Sequence, residues 1–170
     1  MDQDFRWMVA REAPHLRRFA ISLTGDVERG DDLVQDAVER ALRKRRLWQR
    51  SGSIRSWLFK LLYRVYLNQR QRGRVESNAI SAMQYSAAQS SPARQDGHLE
   101  MMDIVGALQA LPSDQREAVL LVGLEGMAYD EAADVLGVPI GTLKSRLFRG
   151  RETLWTVRRG ERAPNLRRVK

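Results

Sequence analysis

Seven residues between Pro139 and Glu152 have the types and spacing to read duplex DNA: Thr142, Lys144, Ser145, Arg146, Phe148, Arg149 and Arg151. On a helix of period 3.6, Ser145, Arg149 and Glu152 point one way, with Thr142 and Phe148 beside them. Lys144, Arg146 and Arg151 fall on the flanks. A guanidinium such as Arg149 can give two hydrogen bonds to one guanine, Ser145 can serve either base type, and Phe148 suits a thymine methyl. The flanking cations suit phosphates and would make binding salt-dependent. Ile140, Leu143, Leu147 and Leu154 share the opposite face, which would pack on a preceding helix. That helix ends at Gly137, whose missing Cβ permits a tight left-handed turn, and Val138-Pro139 starts the next. The pattern is a helix-turn-helix with its second helix for the major groove. The competing reading is a helical hairpin with a basic solvated face. The glycine turn, the apolar spacing and the ten basic residues of 139–170 favour DNA.

A second chemistry lies earlier. Residues 40–74 hold twelve basic side chains and no acidic one, interleaved with Trp48, Trp57, Phe59, Tyr63 and Tyr66. Cations with aromatics suit single-stranded nucleic acid, where bases stack and phosphates are neutralised. Trp57 reads as core; Phe59 and Tyr63 fit core and stacking equally well.

Charge sorts the chain into blocks. Residues 1–99 carry 18 basic and 11 acidic side chains, residues 100–138 one and eight, and residues 139–170 ten and two. The overall charge of +8 points to a polyanionic partner. The acidic block reads as a solvated face that keeps the wrong surface off DNA. There is no cysteine, which excludes disulfides and thiolate metal sites. No apolar run reaches the roughly 20 residues of a membrane span, and the N-terminus lacks a signal-peptide core, so a cytoplasmic protein without membrane insertion is expected. There is no phosphate-binding glycine loop and no HExxH, and His15 and His98 lie far apart. These absences argue against an enzyme and predict no catalytic residue, metal or cofactor. Both histidines read as surface or capping residues.

The elements that must position these side chains are all helical, since no long apolar–polar alternation occurs. Helices are expected over 5–23, with Pro14 a break or kink, from an Asp31 or Asp32 cap to about Trp48, and over 56–72. A second set is expected at 99–110, 114–123, 128–136 and 140–156, with Asp114 and Glu117 as a capping box. The fold class is all-α: domains at 1–72 and 99–157, a flexible linker at 73–98 and a basic tail at 158–170. A flexible linker of that length spans roughly 28 Å root-mean-square.

Three stretches carry a family resemblance: Asp31 to Trp48, Ile54 to Arg72, and Leu108 to Leu154. Together, in this order and length, they resemble the extracytoplasmic-function (ECF) sigma factors of the sigma-70 family. The resemblance implies a monomer that binds core RNA polymerase and promoter DNA, both duplex and single-stranded, and promotes DNA opening. It places Asp32, Gln35, Asp36, Glu39 and Arg40 against the clamp of the largest polymerase subunit. It assigns Trp48, Arg55, Lys60, Tyr63, Arg64 and Asn68 to the −10 element, and the seven residues of the last helix to the −35 element. It also implies an anti-sigma partner. Arg64 and Asn68 depart from the family, which usually has Asn and an acidic residue at those positions, so the −10 sequence is not implied. Two other readings are a sigma-mimic decoy that sequesters an anti-sigma protein and a conventional helix-turn-helix regulator.

Overall fold

The computed structural model describes residues 2–48, 52–81 and 106–158. All its regular elements are helical, and no strand occurs among the described residues. The first module comprises α1 (Asp2–Thr24), α2 (Val27–Arg43), a 3₁₀ turn (Arg45–Leu47) and α3 (Ile54–Ser81). The second comprises a helical turn at 106–109, α4 (Ser113–Val119) running into a π turn (Leu120–Leu124), α5 (Tyr129–Leu136) and α6 (Ile140–Arg158).

Helix α1 runs through Pro14 without the break that position allows for. A mid-helix proline costs about 3 kcal/mol, but residues on both sides of it are fixed by packing. Val9 and Glu12 before it, and Leu16, Phe19, Ala20 and Leu23 after it, are buried. The chain reverses at Gly25, where φ is +71°. Asp26, not Asp31 or Asp32, caps α2, accepting from the Arg29 N–H at 2.8 Å. Asp31 is instead gripped by Arg17 at 2.6 and 3.1 Å, a bond that lowers its carboxyl pKa. Helix α2 stops five residues before Trp48, with Lys44 leaving helical geometry. Helix α3 reaches nine residues into the stretch assigned to the linker. The rest of that linker, including His98, and the tail from 159 lie outside the described residues.

Leu33, Ala37 and Ala41 bury one stripe of α2. Its close approach to α1 depends on Gly30, where an added Cβ would lie 2.9 Å from the Ile21 Cα and backbone N. Backbone cannot give way as a side-chain tip can. Gly→Ala inside a helix ordinarily stabilises by about 0.5–1 kcal/mol. Gly30→Ala is expected to do the reverse, destabilising by about 1–3 kcal/mol through overpacking, as urea denaturation will read.

The two modules are packed together rather than held apart. Helix α3 lies on α5, and α1 touches the π turn. Buried apolar residues from Phe5 to Leu147 form a single cluster.

Candidate nucleic-acid interface

The turn between α5 and α6 forms as its residues require. Gly137 has φ +66°, and the Val138 N–H reaches back to the Ala133 carbonyl at 3.1 Å, closing a left-handed helix cap. Behind α6, Leu143 and Leu147 are buried and Leu154 is partly so, while Ile140 is exposed, outside the expected apolar face. Gly150 lets α6 approach α4: a Cβ there would meet Val119 Cγ2 at 2.7 Å and the Gln115 carbonyl at 3.2 Å. The front of α6 presents Lys144, Ser145, Phe148, Arg149 and Arg151 to solvent, Phe148 at 68%. Thr142 is half-buried, and its carbonyl accepts from the Ser145 hydroxyl at 2.9 Å. Lys144 sits 5.9 Å from the Tyr129 ring centroid. Arg146 is half-buried beside Asp114, 3.5 Å away. Asp114 caps nothing distant: α4 has no side-chain cap, and Glu117 turns away to Tyr63, so no capping box forms.

On α2, Asp32, Gln35, Asp36, Glu39 and Arg40 recur at three- and four-residue intervals and so share a face. Glu39 bonds Gln35 at 3.3 Å and Arg43 at 3.1 Å, and Asp36 accepts from Gln69 of α3 at 3.0 Å.

The −10 candidates are not gathered on an open surface. Arg64 and Asn68 are exposed on α3. Trp48 is half-buried, its ring 5.7 Å from that of Phe5. Arg55, Lys60 and Tyr63 face the second module. Lys60 bonds Asp134 at 2.6 Å. Tyr63, 6% exposed, donates to Glu117 at 2.7 Å. Phe59 is fully buried, and Trp57 packs against the core as expected.

The centre of this seam is Glu125, whose carboxylate has no exposure. Arg18 holds it with two bonds of 2.9 and 3.0 Å, His15 lies at 3.2 Å and Arg55 at 3.1 Å. Arg55 also donates to the Glu125 carbonyl at 2.7 Å and lies 3.6 Å from Glu12. Two acids of this block turn inward rather than to solvent: Glu125 answers Arg18 and Arg55, and Glu117 accepts from Tyr63, while Asp134, 61% exposed, meets Lys60 at the surface. His15 belongs to this cluster rather than to open surface. Sequence reasoning missed it because the partners lie 70 to 110 positions apart. The only available signal was one acidic block following a basic one.

Burial pushes the Glu117 carboxyl pKa up, against the opposing pull of the Tyr63 hydroxyl and Arg70. The folded chain thus holds this proton more tightly than the unfolded chain. Stability from this group is complete below the ordinary carboxylate range and is lost as pH rises through the raised value. Glu117→Gln keeps an acceptor for Tyr63 but cannot titrate. It is expected to remove that part of the fall in melting temperature between mildly acidic and neutral pH; an unchanged slope would contradict the assignment.

A two-module helical protein with a helix-turn-helix at its C-terminal end is the class these features define. Residues 9–63 match the model for the Sigma2 domain of PhyR, and residues 101–154 match sigma-70 region 4. The chain is 40% identical to the ECF RNA polymerase sigma factor EcfG of Rhodopseudomonas palustris, over 83% of this chain and 77% of that one. The sigma factor RpoE of Bartonella quintana, solved in complex with the anti-sigma factor NepR, is similar at 36% identity and TM-score 0.79, covering 94% and 99% of the two chains. The anti-anti-sigma factor PhyR of the same organism shares the fold at 19% identity and TM-score 0.58, covering 88% of this chain and 48% of that one. This chain belongs to the ECF RNA polymerase sigma factors, a family of transcription initiation factors rather than enzymes. Among the described residues no group of three or more potential ligands could hold a metal ion, and no helix is long and apolar enough to cross a membrane.

Proposed function

We propose that this chain docks on core RNA polymerase through the α2 face, reads a −35 element in duplex form with α6, and captures unpaired −10 bases with the first module. The observation that carries the reading is the front of α6: its base-reading and phosphate-binding side chains stand in solvent while its apolar back is fixed in the core. Arg149 is the residue for guanine; Lys144 and Arg151 suit phosphates. Arg146 joins them once it leaves Asp114. Capture at −10 rests on Trp48, Arg55, Lys60, Tyr63, Arg64 and Asn68. Stacking returns about 1–3 kcal/mol per base, comparable with unstacking costs of a few kcal/mol, so capture of one or two bases biases melting once polymerase holds the complex.

Because Tyr63 is buried against Glu117 and Arg55 is held by the buried Glu125, the modules must part before these two side chains can meet DNA, whereas Lys60 need only exchange its exposed bond to Asp134. The packed arrangement is thus the resting state, and promoter use selects the parted one. An anti-sigma protein of the kind bound to the Bartonella relative would hold the modules in an unproductive position.

A second reading has two observations behind it: the first module matches the PhyR model, and Arg64 and Asn68 depart from the sigma pattern. A mimic that sequesters an anti-sigma protein has no use for the α6 front, and that face is complete here.

Arg149→Ala tests the −35 assignment. In polymerase-bound form it is expected to cost roughly 1–3 kcal/mol at one base pair and to relax specificity there. Equal weakening across all −35 sequences would make Arg149 a phosphate contact instead.

A further inference from the structure

A cavity of about 280 Å³ opens in the seam between the modules, away from Glu125 and from the α6 front. Its walls come from both modules: Arg29 of α2, Tyr66 and Arg70 of α3, Gln109 of the turn before α4, and Arg116 of α4. Three guanidinium groups line it and no carboxylate does.

The arginines are poorly neutralised. Every hydrogen bond of Arg116 goes to an uncharged oxygen: Gln109 Oε1 at 2.6 Å, the Gln109 and Leu111 carbonyls at 3.2 and 3.0 Å, and the Leu23 carbonyl at 3.5 Å. Its Nε is buried with no partner. The Arg29 guanidinium makes no hydrogen bond or ion pair among the described residues and is exposed at the mouth. Arg70 touches Ser113 at 3.5 Å and Glu117 at 4.0 Å, and Glu117 is already bonded by Tyr63. Asp36, beyond the rim, is taken by Gln69. Arg116, half-buried with its Nε unpartnered and no carboxylate on it, is a cation partly withdrawn from water without a counter-charge, a cost that an anion in the cavity, beside the more open Arg29 and Arg70, would offset.

We propose that this cavity binds a small phosphoryl-bearing anion, which bridges α2, α3 and α4 and holds the two modules together. Phosphate oxygens suit forked guanidinium donors, and the half-buried Tyr66 ring at the wall offers a stacking face if the phosphoryl group is carried by a nucleotide. Binding only to the packed form stabilises it by mass action, and, resting on the reading that promoter use selects the parted form, the anion then acts against promoter use.

The test uses the full chain, with inorganic pyrophosphate and ATP as separate probes against sodium chloride of equal ionic strength. Titration calorimetry and melting temperature are the readouts. At least one probe is expected to bind and raise the melting temperature, and Arg29→Gln, at an exposed side chain that holds no other element, should weaken binding about tenfold. Arg70→Gln should weaken it similarly. Tighter binding of ATP assigns a nucleotide, and equal binding assigns the phosphoryl group alone. No binding of either probe overturns the site. Binding indifferent to Arg29→Gln but lost in Arg149→Ala also overturns it, because the anion then sits on the DNA-reading face. Transcription enters neither readout, so failure of the promoter-reading role and failure of this site are separately visible.

Discussion

Glu125→Ala is expected to part the two modules. The carboxylate is fully buried and receives bonds from Arg18, His15 and Arg55, all belonging to the first module. Breaking a buried ion pair by removing one partner costs about 3–5 kcal/mol because the other charge is left uncompensated. Here the cations keep partial access to water, Arg18 at 47%, so the lower end applies. About 3 kcal/mol shifts the balance between packed and parted forms more than a hundredfold. The absence of cysteine lets a label pair be placed at Arg6→Cys and Glu152→Cys, both exposed and on different modules. The parent chain should give a short, narrow distance distribution and the Glu125→Ala chain a longer, broad one. An unchanged distribution would show that apolar packing alone holds the seam. In transcription the same variant should exceed the parent, since Arg55, Lys60 and Tyr63 are released.

Asp36→Arg is expected to abolish association with core polymerase. Asp36 lies among Asp32, Gln35, Glu39 and Arg40 on the α2 face away from Leu33, Ala37 and Ala41. Its one bond within the chain, from Gln69, is solvent-exposed and contributes little to stability. Reversing a charge in a complementary interface costs several kcal/mol, a hundredfold or more in affinity. Duplex binding by α6 and the circular dichroism spectrum should be unchanged. Association at the parent level would remove α2 from the docking surface.

Local features were legible where local rules decide them. Gly137 makes the left-handed turn its position demanded, and the α6 front stands clear because Leu143 and Leu147 anchor its back. Trp57 went to the core as its apolar neighbours implied. Three local outcomes have identifiable reasons. Pro14 does not break its helix because packing on both sides holds it, Asp26 outcompetes Asp31 for the α2 cap, and Glu117 leaves its box for Tyr63. What no window of sequence could show is the seam. Its bonds join residues 43 to 110 positions apart, and each acidic partner alone resembles an ordinary solvated side chain. The alternation of basic and acidic blocks is visible in the sequence, but which members of the acidic block turn inward to meet the first module, Glu117 and Glu125, is decided by tertiary packing.

The central claim is that this chain directs core RNA polymerase to promoters, and run-off transcription tests it most directly. Purified core polymerase is supplied with a pool of bacterial promoters, alone, with this chain, and with its Glu125→Ala variant. Start-site-specific transcripts that require the chain, and increase with the variant, are the predicted result. Core binding without transcripts from either form would contradict the claim and support the anti-sigma decoy.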